Sequence, residues 1–251
     1  MNTEQAVSSQ NFGDSTLLSS RQKIGISLTL IIISALAWMV SLQTQFYVIP
    51  FISDNDVIFP FNFVFVWTVM MVAMMLPSII PMVLLFTKLS QSRVQFGHNV
   101  VPTFLFVLGY FVIWGLMGTG LAVINFVIYP IFKPWNRLIA GSAFVLAGLY
   151  QSTHWKNLCL GHCRSPIQFL SHGWQDGSLG AIKMGSIHGI YCVGCCWGLM
   201  IALIAAGMMN PAYMGLIGIF IFIEKISSNG QFLAKIIGYV FVIFGLVFMI
   251  I

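Results

Sequence analysis

Charge is what this sequence has least of. Only 7% of its 251 residues are Asp, Glu, Lys or Arg, and 59% are apolar; a soluble domain carries about 25% charged residues. So few charges cannot build a water-facing surface, so lipid must cover most of the chain and an all-α polytopic bundle is expected. The net charge of +5 does not point to nucleic acid, because the basic residues are scattered through loops, where they set membrane topology. No phosphate loop, nucleophile elbow or HExxH motif is present, which removes support for a hydrolase or a nucleotide-driven pump. Nor is there an internal repeat. Residues 1–20 are rich in Ser, Gln, Asn and Thr and read as a disordered cytoplasmic tail. They do not resemble a secretory signal: Arg21 and Lys23 follow them, and no small-residue cleavage site succeeds the apolar run.

What is abundant is apolar sequence. A helix needs about 20 apolar residues to cross a bilayer. Residues 21–251 read as one transmembrane helical domain of about seven spans: Ile24–Leu42, within Phe61–Thr87, within Val101–Tyr129, Trp135–Gln151, Met184–Met208, Ala212–Ile223 and Ala234–Ile251. The sixth is short, and six spans would remain if it is re-entrant. Asn210-Pro211 breaks the long uncharged stretch Met184–Ile223. A polar loop is expected over Ser152–Lys183. With seven spans, one side receives Arg21, Lys23, Lys88, Arg93, Lys156, Arg164, Lys183, Lys225 and Lys235, and the other only Lys133 and Arg137. That bias predicts a cytoplasmic amino terminus and an external carboxyl terminus.

Cysteine is also scarce, and its placement is informative. All five cysteines fall between Cys159 and Cys196, with four of the five histidines (His154, His162, His172, His188) beside them. In the fifth span His188, Cys192, Cys195 and Cys196 are spaced i, i+4, i+7, i+8, one stripe of a helix. At about 1.5 Å rise per residue the cysteines lie roughly 13–20 Å from Lys183, near the membrane midplane. One helix cannot wrap a metal, so other spans must contribute. The second span offers the i, i+4 pairs Met70/Met74 and Met71/Met75, with Pro77 removing a backbone hydrogen bond just beyond them. Soft thiolates and thioethers select Cu(I). Cys159, His162 and Cys163 form a second group in the polar loop, and Glu224-Lys225 closes the sixth span.

Each feature has a plainer reading. Methionine and lone buried cysteine are ordinarily packing residues. Glu224-Lys225 reads first as an interfacial ion pair, and otherwise as a carboxylate for metal or proton relay. Gly185-xxx-Gly189 and Gly194-xxx-Gly198 fit close helix packing.

Four blocks in order carry a resemblance: Met70-Met-x-Ala-Met-Met-x-Pro77; Gly148-x-Tyr-Gln151 with Lys156-x-x-Cys159; Cys163-Arg-x-Pro166 with Trp174-x-x-Gly177; and Gly189-x-Tyr-Cys-x-Gly-Cys-Cys-Trp197 running on to Met209-Asn210 and Glu224-Lys225. The chain resembles a bacterial family of predicted metal-binding multi-pass membrane proteins of unknown function, some labelled copper chaperones. The resemblance implies metal handling, copper first. The expectation is therefore a bacterial inner-membrane protein that binds Cu(I) through Cys192, Cys195 and Cys196. Met70, Met71, Met74, Met75, His188 and Glu224 would assist, with Cys159, His162 and Cys163 as a cytoplasmic relay. Its role would be delivery to or from a partner protein, not catalysis. Zinc is the alternative metal. Rival readings are a metal transporter, a membrane thiol–disulfide oxidoreductase running from Cys159/Cys163 to Cys192/Cys195, and a structural subunit with inert cysteines.

Overall fold

The computed structural model describes residues 18–48, 59–94, 101–132, 136–207, 210–227 and 229–250. The polar tail over 1–17, His98 and the side chain of His172 lie outside the described residues. Among the described residues the structure is all-α, with helices α1 Ser20–Val48, α2 Phe59–Val94, α3 Thr103–Phe132, α4 Asn136–Gln151, α5 His154–Arg164, α6 Pro166–Gly173, α7 Gly177–Gly207, α8 Pro211–Ile226 and α9 Gly230–Ile250.

Five of these helices, α1, α2, α3, α7 and α9, are long and apolar enough to cross a membrane. They account for the first, second, third, fifth and seventh expected spans. The fourth and sixth are α4 and α8, of 16 residues each. At about 1.5 Å per residue each is roughly 24 Å long, shorter than a hydrocarbon core of about 30 Å. The loop expected over Ser152–Lys183 is instead helical for most of its length. Thr153 caps α5 by accepting a hydrogen bond from the Lys156 amide at 3.3 Å, and Pro166 opens α6 at a position where its missing N–H costs nothing. Gly177, at φ +82°, turns the chain into α7. Polarity marked this stretch as a loop because α5 places Trp155 and Leu158 outward while burying Lys156, the reverse of the usual pattern.

Local chemistry sets the helix ends. Ser19 and Gln22 form a reciprocal capping box on α1, with Ser19 N–H donating to Gln22 Oε1 at 3.1 Å and Gln22 N–H donating to Ser19 Oγ at 3.3 Å. Asn210 caps α8 by accepting from the Ala212 amide at 2.9 Å. Helix α2 runs unbroken through Pro77 and Pro81. Pro77 cannot donate to the Ala73 carbonyl one turn back; Ser34 of α1 does so instead, its hydroxyl 2.7 Å from that oxygen.

Two helix pairs come together at glycines. A Cβ on Gly185 would run into the Phe106 carbonyl, and one on Gly109 into the Ile182 carbonyl, so α3 and α7 pack backbone to backbone. Gly141 and Gly148 of α4 likewise face the carbonyls of Gly245 and Gly238 of α9. Such approach is how helices associate where no hydrophobic force separates lipid from side chain. Gly185-xxx-Gly189 was expected to serve packing, and it does. Helices α2 and α7 carry the most buried windows, and both pack on α3, sharing with it one apolar core that includes Trp67, Phe86, Phe106, Tyr110, Trp114 and Leu199.

Candidate metal centre

Cys192, Cys195 and Cys196 sit halfway along α7 and are all buried. Their helical spacing brings the sulfurs together: Cys192 to Cys196 at 3.8 Å and Cys195 to Cys196 at 3.6 Å. A fourth sulfur comes from α5, with Cys163 Sγ 3.7 Å from Cys195 Sγ. The sulfurs of Cys163, Cys192 and Cys195 all lie within 4.8 Å of one another, close enough to hold one ion. All five cysteines are free thiols. The stripe on one helix was legible beforehand; its completion by Cys163, expected in a separate cytoplasmic group, was not.

Cys159 faces α7 one turn before Cys163. Its sulfur occupies the room left by Gly194, where a Cβ would stand 2.6 Å away. Burial pushes the Cys159 thiol up from its usual range, with the nearby Cys195 adding to the effect. Cys163 is pushed up further: its hydrogen bonds with Cys192 and Cys195 favour retention of its proton, and burial adds to that. His162 lies apart from this sulfur cluster. Its ring stacks on Tyr191 at 4.1 Å, and Nδ1 donates to the Leu158 carbonyl at 2.9 Å. A carbonyl can only accept, so the lone pair of the neutral ring is left on Nε2.

The Cys192 sulfur is the most engaged. Lys225 Nζ of α8 donates to it at 3.1 Å and to Ser78 Oγ of α2 at 3.0 Å, and the Tyr110 hydroxyl of α3 stands 2.9 Å from it. Helices α3, α7 and α8 thus meet at one sulfur, and α2 joins them through the Lys225 ammonium. Lys225 is not paired with its neighbour Glu224. Consecutive helical residues point about 100° apart, and Glu224 is buried on another side. There Oε2 receives Lys156 Nζ at 2.7 Å and Oε1 receives Gln151 Nε2 at 3.3 Å. Lys156 also donates to Gln151. The expectation of an interfacial Glu224-Lys225 pair is corrected: the ion pair is Lys156–Glu224, with exposures of 0% and 2%. An isolated charge in that place would be costly, so the partners are supplied together.

His188, one turn before Cys192, is 2% exposed. Rings of Phe106, Tyr110 and Phe169 surround it at 6.1, 5.7 and 5.5 Å. Its Nδ1 is buried with no hydrogen-bond partner among the described residues. Met70, Met71, Met74 and Met75 are buried in the same apolar core as the cysteines. Met74 packs toward Gly218 of α8, where a Cβ would lie 3.6 Å from its terminal carbon. Helix α2 is tied to the sulfurs through Ser78, which accepts from the same Lys225 ammonium that donates to Cys192.

Sequence reasoning missed Tyr110, Ser78, Gln151 and Lys225 as parts of this centre. Gln151 and Lys225 fall inside the blocks that carried the resemblance, so a signal existed for them. Tyr110 and Ser78 had none, since a hydroxyl in an apolar span does not announce its partner. Two further block residues are engaged: Tyr150 donates from its hydroxyl to the Gly194 carbonyl, and Trp174 stacks on Phe86 of the apolar core at 5.4 Å.

No curated protein and no solved structure matches this sequence. A family model, PpoB2, described as "Copper chaperone", matches residues 64–248. The matched region contains all four sulfurs, the Lys156–Glu224 pair and α2 to α9 almost whole. The chain belongs to this family of copper chaperones.

Proposed function

We propose that this membrane protein takes a cuprous ion as cargo on Cys163, Cys192, Cys195 and Cys196 and hands it to a copper-accepting protein, without catalysing a reaction. The observation that carries the reading is the mutual approach of three sulfurs within 4.8 Å, with the Cys196 sulfur 3.6 Å from that of Cys195. Thiolates and thioethers select Cu(I) over harder ions. An ionised thiol buried in an apolar core is costly unless a cation neutralises it, so ionisation of the cysteines and loading of the ion go together. The fourth sulfur gives the ion a spare ligand through which to change partners. His188 and the quartet Met70, Met71, Met74 and Met75 are auxiliary neutral donors, and Cys159 with His162 form the relay on the cytoplasmic side. Glu224 contributes by fixing α5 through Lys156, so that Cys163 reaches α7. The location is the inner membrane of a bacterium, amino terminus in the cytoplasm and carboxyl terminus outside, supported by the Lys and Arg bias between loops.

The test is metal content of the reduced, detergent-purified full chain beside the Cys192→Ser/Cys195→Ser/Cys196→Ser variant. About one Cu(I) per chain in the native protein and none in the variant is the expected result. Zinc in place of copper would reassign the metal. Neither metal in either protein would sink the proposal.

A further inference from the structure

A cavity of about 520 Å³ lies between α5, α6 and α7 and takes no part in the sulfur cluster. Its lining includes His162, Gly161, Phe169, Met184 and Tyr191. Two of these are soft-metal donors. His162 is exposed there, with its Nδ1 engaged by Leu158 and its Nε2 lone pair left over. Met184 is 1% exposed, so its thioether closes the inner wall. Along α7, Met184, His188 and Cys192 follow one another at i, i+4 and i+8. Each step rises about 6 Å and turns about 40°, so neighbouring side chains overlap. The middle rung is the histidine whose buried Nδ1 lacks a partner. Phe169 lines the cavity on one side and packs against His188, ring centres 5.5 Å apart, on the other. Tyr110 stacks on His188 and touches Cys192 Sγ. The cavity, the imidazole with its unpartnered Nδ1 and the cysteine cluster are therefore linked through Phe169 and Tyr110.

We propose that this cavity is the loading vestibule for the cuprous cargo, with His162 and Met184 as its first ligands and His188 as the relay to Cys192. The inference rests on the copper-binding reading above. It adds a second, transient site and assigns Met184, which that reading does not use. The chemistry is ligand exchange: the ion moves from thioether to imidazole to thiolate, each cysteine that becomes a ligand gives up its thiol proton to water, and copper stays cuprous. Neutral donors suit the first steps because they bind a soft cation and release it again. The thiolates then hold it by charge. Phe169 keeps water from the imidazole and must swing aside as the ion passes.

The experiment measures the rate and the extent of loading separately. Reduced full chain in detergent is mixed with Cu(I)–acetonitrile, and thiolate-to-copper charge-transfer absorption is followed to its plateau. Gly161 lines the cavity and a Cβ there meets nothing within 4 Å, so Gly161→Trp fills the vestibule without removing a donor, and Gly161→Ala leaves it open. Gly161→Trp is expected to slow loading about tenfold or more at an unchanged plateau, with Gly161→Ala at the native rate. Met184→Leu, which keeps volume and removes sulfur, is expected to slow loading about tenfold at the same plateau. Native rates in both Gly161→Trp and Met184→Leu would overturn the route and leave the cysteine site standing. A native protein with no charge-transfer band would overturn the copper-binding reading and the route with it.

Discussion

Removing one member of the Lys156–Glu224 pair tests how the fourth sulfur is held in place. Both side chains are essentially closed to water, at 0% and 2% exposure, and 2.7 Å apart. Substituting Glu224→Gln leaves the Lys156 ammonium buried with only Gln151 and a neutral amide to face. Stranding a buried charge in this way costs about 3–5 kcal/mol. For a chain of this size each kcal/mol moves the midpoint by about 2–4 °C, so a fall of roughly 6–20 °C is expected. Lys156→Met strands the carboxylate and should cost a similar amount. The double variant Lys156→Met/Glu224→Gln removes both charges and keeps the volume, so most of the loss should return. The pair joins α5 to α8, and α5 carries Cys163, so each single variant should also bind Cu(I) more weakly. The assays are thermal unfolding in detergent and competitive copper titration. Single variants within about 1 kcal/mol of the native protein, or a double variant no better than the worse single one, would refute the reasoning. In that case the pair does not fix α5.

Other outcomes follow from the same geometry. Gly185→Val should drive a side chain into the Phe106 carbonyl, part α3 from α7 and cost about 1–3 kcal/mol or prevent folding; Gly115→Val, where a Cβ meets nothing within 4 Å, should unfold at nearly the native temperature. Cys163→Ser should weaken Cu(I) affinity about tenfold or more, while Cys159→Ser, whose sulfur packs on Gly194, should weaken it less; equal losses would show that Cys159 ligates too. Copper affinity should fall as pH falls. Cys163 is held above the usual thiol range by hydrogen bonds with Cys192 and Cys195 and by burial, so its proton must leave on loading, and below that raised pKa each displaced proton costs about tenfold in affinity per pH unit. Proton release measured on copper addition checks this. Mild oxidation with diamide should join Cys163 to Cys195, whose sulfurs stand 3.7 Å apart; the two thiols give up two electrons and two protons to the reagent, and copper uptake should stop until dithiothreitol restores them.

Much of this protein was legible from residue types alone, because the bilayer imposes simple demands. Seven percent charge and runs of about 20 apolar residues force helices, since hydrocarbon offers a backbone no other partner. The Asn210-Pro211 break appears in the structure as the capped start of α8. The stripe of His188, Cys192, Cys195 and Cys196 follows from helical periodicity, which is a local property. Family membership was legible too, through short blocks whose order and spacing survive without any geometry. What periodicity cannot carry is which faces of different helices meet. The fourth sulfur arrives from α5, which polarity disguised as a loop because its one buried face holds a lysine. Glu224 and Lys225, adjacent in sequence, part company on the helix: one closes an ion pair with Lys156, the other points its ammonium at Cys192. Tyr110 reaches the same sulfur directly and Ser78 holds the Lys225 ammonium beside it, both from spans that read only as apolar. These pairings join residues 32 to 147 positions apart. Glycine-lined helix approach brings them together, and only the packed structure decides where that approach occurs.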